Sequence, residues 1–183
     1  NNGTTLISFV PPFIFPNADI WDVQLTATDA NGCSNTYNGT VLVVENPTVS
    51  INLSSNCYGD ITNFNSSIIP NLYYGITNYQ WTTSGSGNFG AAGSNSPNTT
   101  FLYDNIGPKI IDFTVTDANG CIGTSSSAFI EIWQNPTAII QPISTVCEND
   151  ITSFDGSSTS QGSSSTMSYQ WDFGDLSGDT LLN

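Results

Sequence analysis

Thr28-Asp29-Ala30-Asn31-Gly32-Cys33 returns, residue for residue, as Thr116-Asp117-Ala118-Asn119-Gly120-Cys121, a shift of 88. Outward from these hexapeptides the flanking sequence repeats as well. Asn46-Pro47-Thr48 returns as Asn135-Pro136-Thr137, a shift of 89. Cys57, followed by Asp60-Ile61-Thr62 and Phe64, returns as Cys147, followed by Asp150-Ile151-Thr152 and Phe154. Tyr79-Gln80-Trp81 returns as Tyr169-Gln170-Trp171, and these last two shifts are both 90. Four anchors that agree so closely mark a tandem repeat of about 90 residues. The expected division is residues 1–46 as the back half of one unit, 47–134 as a complete unit and 135–183 as the front half of the next. The chain reads as a section of roughly two periods from a longer array.

Strand signals dominate each unit. Val23-Gln24-Leu25-Thr26-Ala27 and Phe113-Thr114-Val115-Thr116 alternate apolar and polar residues, the mark of half-buried strands. Each runs into Asp-Ala-Asn-Gly, where Asn and Gly tolerate positive φ and reverse the chain into a tight hairpin. The expected return strands are Thr40–Val44 and Ala128–Ile132. Tyr79/Trp81 and Tyr169/Trp171/Phe173 place aromatic side chains at alternate positions on one face of a strand. Short strands, Gly/Ser/Asn/Pro turns and units of this length predict an all-β fold of β-sandwiches joined end to end. Asn-Pro-Thr is a short, stiff joint, because proline fixes φ and steers the residue before it away from helix.

Composition narrows the function. The chain has no histidine or arginine, and a single lysine, Lys109, against fifteen acidic residues, for a formal charge of −14. So acidic a chain is repelled by nucleic acid and by anionic lipid, which excludes both as expected partners. No apolar run reaches the roughly 18 residues of a membrane-spanning helix. Ten Phe, seven Tyr and four Trp supply enough apolar material for packed cores. Without His or Arg, neither a Ser-His-Asp triad, a Cys-His dyad nor an arginine clamp is available, and the chain is not expected to be an enzyme.

Tyr169-Gln170-Trp171-Asp172-Phe173-Gly174-Asp175 resembles the Trp-Asp-Phe-Gly-Asp signature of PKD domains, which are immunoglobulin-like sandwiches. The Cys57/Phe64 and Cys147/Phe154 openings and the Thr-Asp-Ala-Asn-Gly-Cys closings are similar to repeats of large Bacteroidetes surface proteins, SprB-type gliding adhesins among them. The middle unit departs from the signature, with Trp81-Thr82-Thr83 in its place, and Leu176 stands where the family usually has Gly. The resemblance implies tandem immunoglobulin-like (PKD-like) sandwiches secreted to the cell surface. In such a sandwich the second and sixth strands run the same way in facing sheets. Cys57 precedes the second strand and Cys121 follows the sixth, so the fold analogy places them at opposite ends of the unit. The expected disulfides therefore staple successive units: Cys57 to the hairpin cysteine of the unit beginning near residue 135, with Cys33, Cys121 and Cys147 likewise finding partners in neighbouring repeats.

The remaining candidate sites rest on single residues or short runs. Asp172 and Asp175 are the candidate calcium ligands, since acids (Asp60, Glu148, Asp150 and Asp179 with them) gather near the expected ends of units. The alternative to calcium is solvated surface charge; the same two residues are the obvious carboxylate pair for acid/base work, against which the plain reading is that both accept backbone hydrogen bonds in the turn after the strand. Thr180, in Asp179-Thr180-Leu181, resembles the Bacteroidetes O-glycosylation pattern. Lys109 reads as a lone surface lysine in a Gly-Pro-Lys turn, and Ser157–Ser168 as an exposed low-complexity loop. The expected function is the structural stalk of an extracellular filament or surface adhesin, whose partners are neighbouring repeats. The rival is a module that binds surface glycans or proteins; exposed Tyr73, Tyr74 or Tyr103 would favour it, and burial of these residues would favour the stalk.

Overall fold

The computed structural model describes residues 12–174 and a strand at 180–182. The described residues contain strands and turns and no helix, so the expected all-β class holds. The first element is a hairpin of β1 (Asp19–Thr28) and β2 (Ser34–Val43), paired antiparallel in unbroken register from Asp19↔Val43 to Thr28↔Ser34.

Nine strands then build one sandwich. β3 (Thr48–Asn52), β5 (Thr62–Ile69), β8 (Thr99–Tyr103) and β7 (Gly87–Phe89) form one sheet, in that order. In the other, β9 (Gly107–Asp117) is central: it pairs with β6 (Ile76–Thr83) on one side and with β10 (Ile122–Thr124) and β11 (Ala128–Trp133) on the other. A two-residue β4 (Asn56–Cys57) runs parallel to β11 and ends that sheet. The last pair is β12 (Tyr169–Trp171) with β13 (Thr180–Leu182). Phe173 falls beyond β12 rather than within it, yet its ring stacks on Trp171 at 6.3 Å and meets Phe154 at 5.1 Å.

The core lies where the two sheets of the sandwich face each other. Phe64 from β5 meets Trp81 from β6 at 5.2 Å between ring centroids, and Trp81 stacks on Phe113 from β9 at 4.2 Å. Ile111, Phe113 and Val115, the alternate residues of β9, are wholly buried, as a period of two requires of a central strand with one face on the core. Trp81 is buried too, and its indole N–H is satisfied by the Ser96 carbonyl at 2.9 Å.

The two hexapeptides fold alike. Asp29 and Asp117 each accept, on one carboxylate oxygen, the amides two and four residues on, all at 2.9 Å. Gly32 and Gly120 sit at φ 85° and 87°, whereas Asn31 and Asn119 keep negative φ. The hairpin is thus a three-residue loop with a glycine bulge, not a two-residue turn with two left-handed positions. The aspartate makes the difference: its carboxylate replaces the missing backbone partners, so only glycine needs the unusual conformation.

The change in repeat spacing from 88 to 89 has a visible cause. Thr116 faces Ile122 and Thr114 faces Thr124, but Ile111 faces Ala128, a register slip of one residue. The extra residue is absorbed at Ser125–Ser127, where the Ser125 hydroxyl accepts from the Phe113 amide at 3.0 Å and the Ser125 amide donates back to the Phe113 carbonyl at 2.8 Å. The β1–β2 pair lacks the bulge and keeps one register throughout.

Lys109 departs from its expected surface position. It lies in β9 with 3% of its surface exposed, its ammonium 5.5 Å over the Tyr103 ring and donating to the Ile106 carbonyl at 2.9 Å. β9 turns alternate side chains inward, and position 109 shares the inward face with Ile111 and Phe113. This burial makes trypsin a probe of the sandwich, because Lys109 is its only cleavage site in the chain. Native protein is expected to resist trypsin. Denaturant should expose one cut, yielding residues 1–109 and 110–183, in step with the loss of core fluorescence. Rapid cutting of native protein would show that β9 opens locally.

Candidate functional site: the joint after the sandwich

Chain direction places the joints. β3 starts opposite the end of β5 (Thr48↔Ile69), the end that also holds the β9–β10 hairpin, where the Ala118 amide donates to the Gly75 carbonyl at 3.0 Å. β11 leaves the sandwich at the other end, where Trp133 pairs with Cys57. The chain therefore arrives at one end of the sandwich and departs from the other.

At the departing end several bonds strap Asn135-Pro136-Thr137 in place. The Tyr58 amide donates to the Trp133 carbonyl at 2.7 Å, and the Asn135 side-chain amide donates to the Tyr58 carbonyl at 2.9 Å. From the other side, the Gln134 amide donates to the Ser163 hydroxyl at 2.7 Å, and the Ser163 amide returns a bond to the Gln134 carbonyl at 3.1 Å. Thr137 and Ser160 exchange two further backbone bonds. The serine-rich stretch expected as an exposed loop is largely exposed, and it is also tied to the joint. Gly162, at φ 61°, makes the approach possible: a β-carbon there would lie 2.3 Å from the Gln134 carbonyl oxygen.

Between the strapped segments lies an open groove of about 820 Å³, lined among others by Cys57, Trp133, Pro136, Ser165 and Tyr169. No titratable cluster lines it. Among the described residues no three His, Cys, Asp or Glu side chains come close enough to share a metal ion. The Asp172 carboxylate accepts the Gly174 amide at 2.8 Å, the turn bond expected as its alternative to acid/base work. Asp175 and Asp179 lie outside the described residues, and Thr180 falls within β13. Asp155 is held below the usual carboxylate range by the Ser157 hydroxyl and amide.

All four cysteines are free thiols. Cys57 belongs to the departing end and Cys121 to the arriving end, at opposite ends of the eleven-residue β9, roughly 30 Å apart at a strand's rise per residue. They are far beyond disulfide reach of one another. Cys33 holds the corresponding place in the first hairpin, and the Cys147 amide donates to Asp150 at 3.3 Å in a turn that mirrors Cys57–Asp60.

The three tyrosines named as discriminators divide. Tyr73 is exposed at 62%, Tyr74 is half-buried and Tyr103 is buried. Burial raises the Tyr103 phenol above its ordinary 10.0, against a smaller lowering by its 2.6 Å hydrogen bond with Thr83. Unfolded, this phenol ionises first. Stability is therefore fully present below about pH 10 and is lost as pH rises through the higher folded-state value. Urea titrations from pH 8 to 11.5 should show a steeper alkaline loss in the native chain than in Tyr103→Phe; equal slopes would contradict the raised pKa.

Comparison with known proteins adds the following. No curated protein sequence matches the chain. Among solved structures it is similar to the D00-D0 domain of intimin, at 12% identity and a TM-score of 0.32, over 66% of this chain and 69% of that one. It is also similar to the fibronectin(III)-like modules of CbhA from Clostridium thermocellum, at 15% identity and a TM-score of 0.35, over 63% of this chain and 62% of that one. Residues 133–183, the segment that opens at the strapped joint and carries Trp171-Asp172-Phe173-Gly174-Asp175, match the family model of the PKD domain.

Proposed function

We propose that the chain is a non-catalytic section of a cell-surface stalk, in which sandwiches repeat end to end as 1–46, 47–134 and 135–183. The observation that carries this reading is the joint: the chain passes through the sandwich from end to end and is then bonded on both flanks at Gln134–Thr137. Such a joint limits bending and hands tension from one unit to the next. The PKD match supports a surface protein, and the gliding-adhesin likeness rests on the repeated cysteine and Asp-Ala-Asn-Gly motifs. Cys57 would be stapled to the hairpin cysteine of the following unit. In the complete sandwich the hairpin bonds to Gly75, and the position one repeat later, Ser165, lines the groove with Cys57.

The test is electron microscopy of the native material before and after reductant and chelator. Beaded fibres with a repeat of roughly 40 Å, one sandwich along its strands, are expected. Softening in reductant would support the staples, and softening in chelator would support calcium at the joints. Compact separate particles would overturn the stalk.

A second reading has its own observation. Leu72 is 97% exposed and stands beside the exposed Tyr73 in the loop between β5 and β6. An aromatic next to an apolar tip suits contact with a glycan or protein. Loss of cell or glycan attachment in Tyr73→Ala, with an unchanged melting curve, would favour the binding module.

A further inference from the structure

We propose that the outward face of β9 and β11 docks a basic, extended segment of another protein, one that carries an apolar residue between two cations. The face belongs to the complete middle sandwich, so the inference does not rest on the stalk or on the joint.

Alternation fixes which side chains form the face. Ile111, Phe113, Ile130 and Ile132 are buried in the core, so Ile110, Asp112, Phe129 and Glu131 point outward. Ile110 and Phe129 stand directly opposite one another in the register. Phe129 is 73% exposed and Ile110 42% exposed, an apolar pair laid on the outside of a sheet. A carboxylate stands on each side of the pair. Glu131 faces Pro108, four residues from Asp112 on β9, so the two acids are staggered by about 13 Å with Ile110 and Phe129 midway. The Ser127 hydroxyl donates to Asp112 and steadies it, and Glu131 lies between the exposed rings of Phe129 and Trp133.

The opposite face of the sandwich is different. β3, β5, β7 and β8 carry no carboxylate, and their outward positions include Ser50, Asn52, Asn63, Asn65 and Ser67. Apart from the buried Asp117, the acids borne by the strands of this sandwich are gathered on the side that exposes Phe129.

Charge complementarity names the occupant. A partner strand with Lys or Arg at i and i+4 and an apolar residue at i+2 presents all three on one side, at the spacing of the face. Each cation would meet a carboxylate beside an apolar floor, and an arginine at Glu131 would also reach an aromatic ring. No part of this chain supplies such cations. Its one basic side chain, Lys109, is buried, with its ammonium on the Ile106 carbonyl and over the Tyr103 ring. The segments outside the described residues contain neither Lys nor Arg. A second copy fits no better, because it brings carboxylates to carboxylates.

The test is nuclear magnetic resonance of the full chain, nitrogen-15 labelled, with the end-blocked peptide Gly-Arg-Thr-Val-Thr-Arg-Gly at low ionic strength. Amide signals of residues 108–112 and 128–133 should shift together, and roughly 0.5 M salt should reverse the shifts. Gly-Arg-Thr-Val-Arg-Thr-Gly turns its second cation to the other side of the strand and should bind about fivefold more weakly, the scale of one exposed ion pair. Glu131→Gln should weaken the first peptide by a similar factor, and Phe129→Ser at least as much. Glu45→Gln, ahead of β3 at the arriving end, should leave binding unchanged. Continued resistance to trypsin at Lys109 shows that each variant keeps the sandwich. Equal binding of the two peptides, shifts spread over carboxylates throughout the chain, or binding unmoved by both face variants would reduce the effect to net charge and overturn the inference. The absence of any shift at millimolar peptide overturns it too, as does self-association through residues 108–133 without peptide. None of these results bears on the stalk.

Discussion

Trp81→Ala should remove about 3–5 kcal/mol from the middle sandwich, the usual cost of deleting a large buried aromatic. Domains of this size hold roughly 5–15 kcal/mol in all, so the loss is a large share of its stability. Trp81 bridges Phe64 in one sheet and Phe113 in the other, and its truncation leaves a cavity between them and an unpaired Ser96 carbonyl. Urea unfolding followed by far-ultraviolet dichroism should show a midpoint shifted far to low denaturant, with the trypsin cut at Lys109 accelerated in parallel. Trp171→Ala is the control. Trp171 occupies the same place in the repeat, but its ring contacts are Phe154 and Phe173 and it adds nothing to the middle core, so that transition should not move. Equal losses in the two variants would mean that the units unfold as one body.

Asp117→Ala should cost about 2–3 kcal/mol, and Asp29→Ala should leave the middle transition unchanged within about 0.5 kcal/mol. The two aspartates stand in identical hexapeptides and bond identically to their own hairpins. Asp117 alone also accepts the Asn71 side-chain amide, which in turn accepts the Tyr73 and Tyr74 amides at 2.9 and 2.7 Å. It is 2% exposed, so its removal strips a small polar network that water cannot readily replace. Asp117→Asn keeps one acceptor oxygen for the hairpin amides and should fall between native and alanine. Thermal melts of the three variants check the order, and an Asp29 effect as large as that of Asp117 would locate the cost in the hairpin and not in the network.

The equivalence of positions was legible from residue order. Thr28–Cys33 and Thr116–Cys121 adopt the same hairpin because its bonds are local: an aspartate reaches amides two and four residues on, and one glycine takes the positive φ. The strand pattern was legible for the same reason, since alternation in β1 and β9 follows from the pleat. Even the one-residue change in spacing between Cys121 and Asn135 was in the sequence, although only pairing shows it to be the Ser125–Ser127 bulge.

Burial was not legible, because it depends on what stands opposite. Lys109 reads as a surface lysine, yet it lies on the inward face of β9 beneath Tyr103. The serines of residues 157–168 read as an exposed loop and are largely exposed, but Ser160 and Ser163 also hold the joint, and their partners Thr137 and Gln134 carry no signal of it in their own neighbourhoods. Tyr73 and Tyr103 are equally plausible as exposed aromatics until the sheets are assembled. Local bonding is written within a few residues and repeats whenever they repeat. Burial and joint contacts are made between residues far apart in the chain, so identical hexapeptides share a hairpin and still differ in what removing their aspartates would cost.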